Sequence, residues 1–434
     1  MKSKLNIFWF RRDLRIDDNV GFYKALNGKF PVLPLFIFDT EILNELPEND
    51  ARVSFIYKSV QKLRDELEKH GSSIAVYHGS PSDVFKKITN EYNVQNIITN
   101  QDYEIYAKQR DNTVEKLLSE KKIGFYTFKD QVIFEKDEVV KSDGSPYIVY
   151  TPYMKVWKDK FRKQGNLKIY TTTKYLKNLY QTSNLFNLSL KDLGFKKSSI
   201  IIPDYDVTSS GIQDYEKLRN FPAEDSTSHL GPHLRFGTVS IRKIMNKAIS
   251  EKNETFWQEL IWREFFMQIL WHFPETVQDA FKKKYDRIEW RNNDKEFTLW
   301  KEGKTGYPIV DAGMRQLNKT GYMHNRVRMV VASFLCKHLL IDWRWGEAYF
   351  AEKLLDYEQS SNVGNWQWAA GSGVDAAPYF RIFNPTTQIE KFDKNQVYIK
   401  KWIKEYETNR YPEKIVDHKE ARERCLKIYK EAVS

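Results

Sequence analysis

Two patterns of apolar and polar residues divide the chain. Across residues 1–133, short apolar runs rich in β-branched and aromatic residues alternate with longer stretches of helical periodicity. The apolar runs predict strands at residues 5–10, 32–38, 73–77, 96–99 and 124–128, and the stretches between them predict helices at 50–70, 81–92 and 103–121. Such alternation is typical of βαβ units, so we predict an α/β domain with a doubly wound parallel sheet.

The remainder of the chain has a different pattern. Residues 134–200 lose regular periodicity and gather Ser, Thr, Asn and Lys, which predicts a linker between domains. From Asp214 onward, strand signals are absent and amphipathic helical periodicity dominates, as from Phe256 to Met267 on a helix that ends before Pro274. We therefore predict an all-α domain over residues 201–434.

Composition narrows the classes of function. The chain has 434 residues, of which 69 are basic and 58 acidic, for a net charge of +11. This charge favours a polyanionic partner, although a basic solvated surface alone could also produce it. Aromatic residues make up 15% of the chain, and flat rings serve bases and cofactors as well as cores. The absence of Gly-x-Gly-x-x-Gly and phosphate-loop motifs argues against a nucleotide-dependent dehydrogenase or kinase.

Cysteine content and hydropathy bear on location. Cys336 and Cys425 are too few for a disulfide framework or a Cys-rich zinc site. The longest uncharged apolar stretch of the C-terminal half, residues 329–336, is shorter than the about 20 residues that cross a bilayer. The N-terminal apolar run lacks a signal-peptide cleavage pattern. We expect a monomeric cytoplasmic protein without metal or membrane contact.

Chemically distinctive residues cluster in the helical half. Glu259, Trp262 and Arg263 lie three and four residues apart and therefore share a helix face. Taken alone, this segment favours a core aromatic stripe with an ordinary ion pair.

A second helical segment places Asn325, Arg328 and Met329 on one face. An Asn in an apolar helix is costly without a partner. Asp356 would form a charge-assisted pair with Arg328 if the two side chains face each other, and such a pair could be purely structural.

Four stretches carry a resemblance to a known family. They are Phe8-Trp9-Phe10-Arg11-Arg12-Asp13-Leu14-Arg15, the segment 144–157 with Pro146-Tyr147 and Tyr150-Thr151-Pro152, the segment 227–237, and the segment 364–385 that ends Asp375-Ala376-Ala377-Pro378-Tyr379-Phe380-Arg381-Ile382-Phe383-Asn384-Pro385. In this order they resemble stretches of the photolyase and cryptochrome family, over nearly the whole chain. The resemblance is greatest to class I cyclobutane pyrimidine dimer photolyases.

The resemblance implies that FAD binds in the helical domain, where the protein supplies position and electrostatics. The residues that match its surroundings are Tyr215, Thr227, Ser228, His229, Leu230, Gly231, Phe256, Glu259, Arg263, Asn325, Arg328, Asp356, Glu358 and Asn362. Hydroxyl and backbone N–H groups in the segment that begins at Thr227 suit phosphates, although Thr227 and Ser228 alone would suggest a helix cap. His229 and Gly231 replace the family's usual Arg and Ser, and Tyr322 replaces its frequent Trp.

Asn362 matches the position that faces the flavin N5. A neutral amide can donate or accept a hydrogen bond there. Photolyase-like members usually carry Asn and plant cryptochromes tend to carry Asp. Without the resemblance, an Asn that orders the turn before Gly364 is the alternative.

The resemblance also implies a DNA site. The residues that match contacts to a flipped-out pyrimidine dimer and its phosphates are Glu259, Trp262, Asn325, Arg326, Met329, Trp368 and Arg381. The implied partner is ultraviolet-damaged DNA. Catalytic roles fall to Glu259, Asn325 and Asn362.

The implied reaction is that of a light-driven carbon–carbon lyase. Excited reduced FAD donates one electron to the dimer, the cyclobutane ring opens, and the electron returns. Glu259 could donate a hydrogen bond to the developing anionic carbonyl only if protonated, and the sequence leaves its protonation open. Trp366, Trp343 and Trp290 match the family's tryptophans that relay electrons from the surface to oxidised flavin.

The main alternative is a cryptochrome-type blue-light photoreceptor without repair activity. Asn362, the intact set of dimer contacts and the end of the sequence at Ser434 argue against it. A (6-4) photolyase would present a His pair, which His324 alone does not supply. A flavin-free DNA-binding protein would require the flavin contacts to be coincidence.

A second, antenna chromophore of folate or flavin type is an open expectation. Folate-using relatives carry a Cys-Lys pair, and the matching segment 276–279 here lacks it. Glu104 is interpreted as a remnant of such a site. The sequence leaves the identity of the chromophore undetermined.

Overall fold

A computed structural model describes residues 2–182 and 184–434 of the chain. It divides into two compact units that alternate along the sequence. The first unit comprises Met1–Glu138, Asp159–Tyr205 and His229–Ser250, and the second comprises Val139–Lys158, Asp206–Ser228 and Glu251–Ser434.

The first unit contains a five-stranded parallel sheet in the order β3-β2-β1-β4-β5. The strands are β1 (Lys4–Phe10), β2 (Val32–Asp39), β3 (Ala75–Gly79), β4 (Asn93–Asn100) and β5 (Gly124–Phe128). Ile7 on the central strand pairs with Leu33 on one side and Ile97 on the other. Every residue of β2 is buried, as expected for a strand covered on both faces. The predicted strands and the doubly wound order are confirmed.

Helices connect these strands. They are α1 (Val20–Leu26), α2 (Thr40–Leu43), α3 (Ala51–Glu68), α4 (Pro81–Glu91) and α5 (Ile105–Glu120). The predicted helices at 50–70, 81–92 and 103–121 are confirmed as α3, α4 and α5, whereas the shorter α1 and α2 were not predicted. α4 begins where the Ser80 hydroxyl accepts a hydrogen bond from the backbone N–H of Asp83, with Pro81 in the first turn. This is a sequence-encoded helix start, because a serine cap and a first-turn proline both satisfy the helix terminus.

A buried charge network ties the helix α9 (Ile241–Ser250) to the loops that follow β1 and β5. The Arg242 guanidinium donates to the Asp130 carboxylate at 2.7 Å and to Asp18 at 3.1 Å. Arg15 donates to the other Asp130 oxygen at 2.7 Å. Asp18 and Asp130 are at most 1% exposed, so their charges depend on these partners.

The second unit is helical. The α-helices that follow β5 are α6 (Tyr150–Gln164), α7 (Ser209–Leu218), α8 (Leu230–Phe236), α9 (Ile241–Ser250), α10 (Glu254–His272), α11 (Asp294–Glu302), α12 (Pro308–Thr320), α13 (Asn325–Ser333), α14 (Trp343–Lys353), α15 (Gln359–Ala370), α16 (Pro385–Phe392), α17 (Val397–Trp402) and α18 (His418–Val433). Of these, α8 and α9 belong to the first unit, and α6 is divided between the two units. The predicted helix end before Pro274 is confirmed at His272. The main core of this unit is built largely from α12 to α15.

Two features differ from the sequence prediction. The predicted linker 134–200 contains α6, whose Tyr153, Trp157 and Phe161 recur every four residues and are buried. This helix was missed because Pro152 and the surrounding Thr and Ser residues are loop signals, although a proline is tolerated in a first turn. The compact units also cross the boundaries predicted at 133 and 200, since the chain passes from one unit to the other within α6 and α8 and α9 belong to the first unit.

Neither a membrane-spanning helix nor a metal cluster occurs in the part of the chain that the structure describes. Among these residues, no helix combines the length and the apolar character needed to span a bilayer. The same residues contain no group of three or more His, Cys, Asp or Glu side chains placed to hold a metal ion.

The charge network makes a stability prediction. Arg242→Met should lower the free energy of unfolding by about 3–5 kcal/mol, because it leaves two buried carboxylates without their shared partner. Urea unfolding followed by circular dichroism measures this loss. Lys243→Met on the same helix is the control, since Lys243 pairs with Asp17 at the surface, where both side chains are about half exposed, and should cost at most about 1 kcal/mol. Equal losses in the two variants would contradict the assignment.

Candidate functional site

A cavity lies within the helical unit. It encloses about 600 Å³ when its open mouth is included. Residues of α13, α14, α15 and the loop before α15 line it. Eight residues predicted from the sequence lie on its wall, namely Asn325, Arg328, Met329, Asp356, Glu358, Asn362, Trp366 and Trp368.

A two-pronged ion pair forms one part of the wall. The two terminal nitrogens of Arg328 donate to the two oxygens of Asp356 at 3.2 and 2.9 Å. The Arg328 Nε donates to the backbone carbonyl of Met323 at 2.7 Å, which fixes the guanidinium plane. Burial alone would lower the pKa of Arg328, but the Asp356 carboxylate holds it above its usual value. The predicted pairing of these two residues, 28 positions apart, is confirmed.

A second ion pair joins α10 to the cavity wall. Arg263 Nε lies 3.2 Å from a carboxylate oxygen of Glu358, and both side chains are about nine-tenths buried. Glu358 directly precedes α15, so this pair holds α10 against the start of the helix that carries Asn362.

Asn362 is fixed by the neighbouring helix α14. Its amide nitrogen donates to the backbone carbonyl of Glu347 at 3.1 Å and to the Glu347 carboxyl at 2.8 Å. Gly346 is required at this helix contact, because a Cβ there would overlap the Trp366 ring. Glu347 was not predicted, since nothing in the sequence relates two polar residues 15 positions apart on different helices.

Glu259 pairs with Arg219, which follows the last residue of α7. Burial raises the pKa of Glu259 above its usual value, and the Arg219 cation opposes that rise. Arg219 was also missed by sequence reasoning, because only the packing of α7 against α10 brings it to Glu259.

The two tryptophans predicted to form an aromatic wall have different surroundings. Trp368 lines the cavity. Trp262 lies in an aromatic stack, with the Tyr150 ring parallel to it at a centroid distance of 3.5 Å and Phe266 on α10 at 5.6 Å. Tyr150 therefore covers one face of the Trp262 ring, and the lesion contact of Trp262 stays a prediction.

The two arginines predicted to bind phosphates have different neighbours. Arg326 donates to the Asn220 side chain at 2.6 Å and lies over the Phe392 ring. Arg381 lines a smaller cavity of about 240 Å³, its open side included, together with Trp368 and Lys337. Trp368 contributes to both cavities and so connects them.

The three predicted relay tryptophans belong to one aromatic core. Trp343 and Trp366 are each 2% exposed within the main core of the helical unit, and Trp290 packs against that core while only partly buried. Trp366 also lines the cavity. The set therefore runs from the cavity wall to a partly exposed ring.

The residues predicted around the phosphates divide between the two units. Tyr215 packs edge-on against Phe256, with ring centroids 5.2 Å apart. The Thr227 hydroxyl lies 3.0 Å from the Tyr322 hydroxyl, and Ser228 accepts a backbone hydrogen bond from Asp206. His229, Leu230 and Gly231 lie at the start of α8 in the first unit. His229 adopts a left-handed backbone conformation there, with φ of 51°.

The cavity in the helical unit suits a flavin cofactor. Its wall combines aromatic rings with a few fixed polar groups, among them Asn362, whose amide nitrogen is held by Glu347. The first unit offers a weaker case for a second chromophore, because Glu104 is paired with Arg12 and Arg235.

Comparison with known proteins gives consistent matches. A model described as the FAD binding domain of DNA photolyase matches residues 256–410, and one described as DNA photolyase matches residues 6–171. The chain is 36% identical to the deoxyribodipyrimidine photo-lyase of Halobacterium salinarum, with 99% of each sequence covered.

Solved structures agree with these matches. A bacterial class III photolyase from Agrobacterium tumefaciens has a TM-score of 0.86 and 32% identity, covering 100% of this chain and 98% of that chain. An archaeal photolyase from Sulfolobus tokodaii with two FAD molecules has a TM-score of 0.85 and 35% identity, covering 99% of this chain and all of that chain.

The matched FAD-binding region contains every residue that lines the cavity. Because a class III structure is among the neighbours, the predicted class I assignment stays a prediction. Two family models match the chain, and a curated relative is 36% identical to it over nearly its full length. The chain therefore belongs to the DNA photolyase family.

Proposed function

We propose that the protein is a deoxyribodipyrimidine photo-lyase, which splits cyclobutane pyrimidine dimers in DNA under blue light. The observation that carries the proposal is the cavity in which Asn325, Met329 and Trp368 share a wall with Asn362. These are the residues expected to meet the lesion and the flavin, so one space brings the two within reach of each other.

This chain's residues bind and orient the cofactor. Arg328 and Asp356 keep the cavity wall rigid, and Asn362 offers a hydrogen-bonding oxygen toward the flavin N5. When bound, reduced FAD that has absorbed light supplies the single electron that opens the cyclobutane ring and then takes it back, so no net redox change occurs.

On the DNA side, the residues recognise a dimer turned out of the helix. Trp368 offers an aromatic face, and Asn325 offers an amide to the pyrimidine edges. Arg326 and Arg381 position backbone phosphates without reading sequence. Glu259 pairs with Arg219, and burial raises the pKa of its carboxyl. Glu259 hydrogen-bonds the pyrimidine edge of the dimer.

The net charge of +11 suits a DNA partner because each phosphate contact releases counterions. A second chromophore of folate or flavin type would act as an antenna, as the two FAD molecules of the archaeal relative suggest. The monomeric state, the cytoplasmic location and the class within the family stay predictions from the sequence.

A repair assay tests the proposed function. The purified protein, with its flavin reduced by light, should restore a thymine oligonucleotide that contains a dimer under blue light and leave it unchanged in the dark. Chromatography of the oligonucleotide measures the product. A protein that holds reduced flavin and leaves the lesion intact in the light would be a photoreceptor of the cryptochrome type instead.

The ion pair on the cavity wall makes a second prediction. Asp356→Asn removes the charge that Arg328 needs, so the FAD content after dialysis should fall and the free energy of unfolding should drop by about 1.5–3 kcal/mol. Absorbance and urea unfolding measure these effects. Glu405→Gln is the matched control, because it breaks the similarly exposed Arg315–Glu405 pair, which is not part of the cavity wall. Equal FAD content in both variants would contradict a role of Asp356 in holding the cofactor site.

The tryptophan set makes a third prediction. Trp366→Phe should slow light-driven reduction of the bound flavin at least about tenfold, because phenylalanine is far harder to oxidise than indole, and should leave repair by chemically reduced protein nearly unchanged. Spectroscopy under illumination and the repair assay measure the two effects. Equal losses in both assays would show that Trp366 is structural rather than a relay.

A further inference from the structure

The basic residues are unevenly distributed along the chain. Residues 160–191 contain seven Lys or Arg side chains and no Asp or Glu, although the chain has 58 acidic residues in all. This segment belongs to the first unit. None of the residues assigned to the flavin or to the lesion lies in it, so the proposed function leaves its charge without a role.

Two of these lysines lie against a cluster of three tyrosines. The ring of Tyr23 on α1 packs edge-on against the rings of Tyr170 and Tyr175, at centroid distances of 5.3 and 5.2 Å. Lys168 lies over the Tyr170 ring and Lys174 over the Tyr175 ring, each with its ammonium nitrogen 5.1 Å from the centroid. The three tyrosines are partly exposed and both lysines are exposed. We call these five residues the tyrosine–lysine patch.

The polar ends of the patch converge on one oxygen. The Tyr175 hydroxyl oxygen accepts hydrogen bonds from the Tyr23 hydroxyl and from the Lys174 ammonium, and these bonds hold the pKa of Tyr175 below its usual value. The Lys168 cation acts in the same direction. Lysine ammoniums and tyrosine hydroxyls are among the groups that contact nucleic-acid phosphates, so this arrangement suits a phosphate.

The backbone beneath the patch is fixed. The short 3-10 helix Thr173–Asn178 carries two residues of the patch, and its Asn178 amide donates to the carbonyl of Leu26 at the end of α1, at 2.8 Å. The backbone N–H of Tyr170 donates to the buried carboxylate of Asp18 at 2.8 Å. Rings held in this way are preorganised, which limits the entropy that they lose when a ligand binds.

We propose that the tyrosine–lysine patch is a second nucleic-acid site, which binds a single strand through its phosphates and its unpaired bases. The lysine cations and tyrosine hydroxyls contact the phosphates, and unpaired bases stack on the tyrosine rings whatever their sequence. A duplex keeps its bases stacked inside, so it would use the cations alone. The site needs neither flavin nor lesion and therefore goes beyond the proposed function.

Binding of an undamaged oligothymidine to the full-length protein tests the proposal. Lys168→Gln combined with Lys174→Gln removes both cations of the patch while nearly keeping the length of the side chains. Fluorescence anisotropy at several salt concentrations measures the binding constant. The slope of its logarithm against the logarithm of salt concentration should become shallower by about 1.4, because each phosphate contact of a single strand contributes about 0.7.

The control makes the same change of charge elsewhere on the first unit. Lys58→Gln combined with Lys62→Gln replaces two exposed lysines of α3 and should leave the slope unchanged. An unchanged slope in the Lys168 and Lys174 variant would overturn the proposal. An equal change in the control would overturn it too, because it would show that net charge alone determines the affinity.

A third variant distinguishes a single strand from a duplex. Tyr175→Leu removes a ring that only unpaired bases can stack on, so it should weaken oligothymidine binding by about fivefold or more and duplex binding by less than about twofold. Equal losses for the two would overturn the assignment of a single strand. Light-driven repair of a dinucleotide thymine dimer should be the same in all three variants as in the unchanged protein. Absence of repair in the unchanged protein would contradict the proposed function and leave the binding test of the patch as it stands.

Discussion

A cavity inside a group of packed helices persists only if its walls cannot collapse onto each other, because the hydrophobic effect and dispersion both favour closing it. Here two ion pairs oppose collapse. Arg328 is held by both oxygens of Asp356, and Arg263 by Glu358. Closing the cavity would remove the remaining water from Arg328 and Asp356, whose side chains are 24% and 17% exposed, without giving them better partners, which is costly. Everything proposed for this protein depends on that space remaining open.

The same constraint explains how one helix serves two purposes. α15 presents Asn362 and Trp366 to the cavity four residues apart, and Trp368 to both the cavity and the smaller pocket beside Arg381. Its start is tied to α10 through Glu358, and its middle is tied to α14 through Glu347. The proposed cofactor contacts and the proposed DNA contacts therefore share one rigid support, which suits a reaction that needs a fixed distance between two aromatic systems.

Local patterns predicted much of this structure. The strands and the helix face with Asn325, Arg328 and Met329 follow from periodicity, and the expected cavity residues followed from the family's motifs. Contacts that arise only when helices pack were not predictable. Glu347 and Asn362 are 15 positions apart and Arg219 and Glu259 are 40 apart, and no spacing rule connects such pairs. The linker prediction failed at α6 because short-range turn signals concealed a four-residue repeat of buried aromatic residues.

The excited-state lifetime of bound reduced flavin tests the central claim most directly. If the cavity holds FAD beside an extruded lesion, an oligonucleotide that contains a dimer should shorten this lifetime by electron transfer, while the same oligonucleotide without the dimer should leave it unchanged. An identical lifetime with both, at concentrations that saturate binding, would contradict the account.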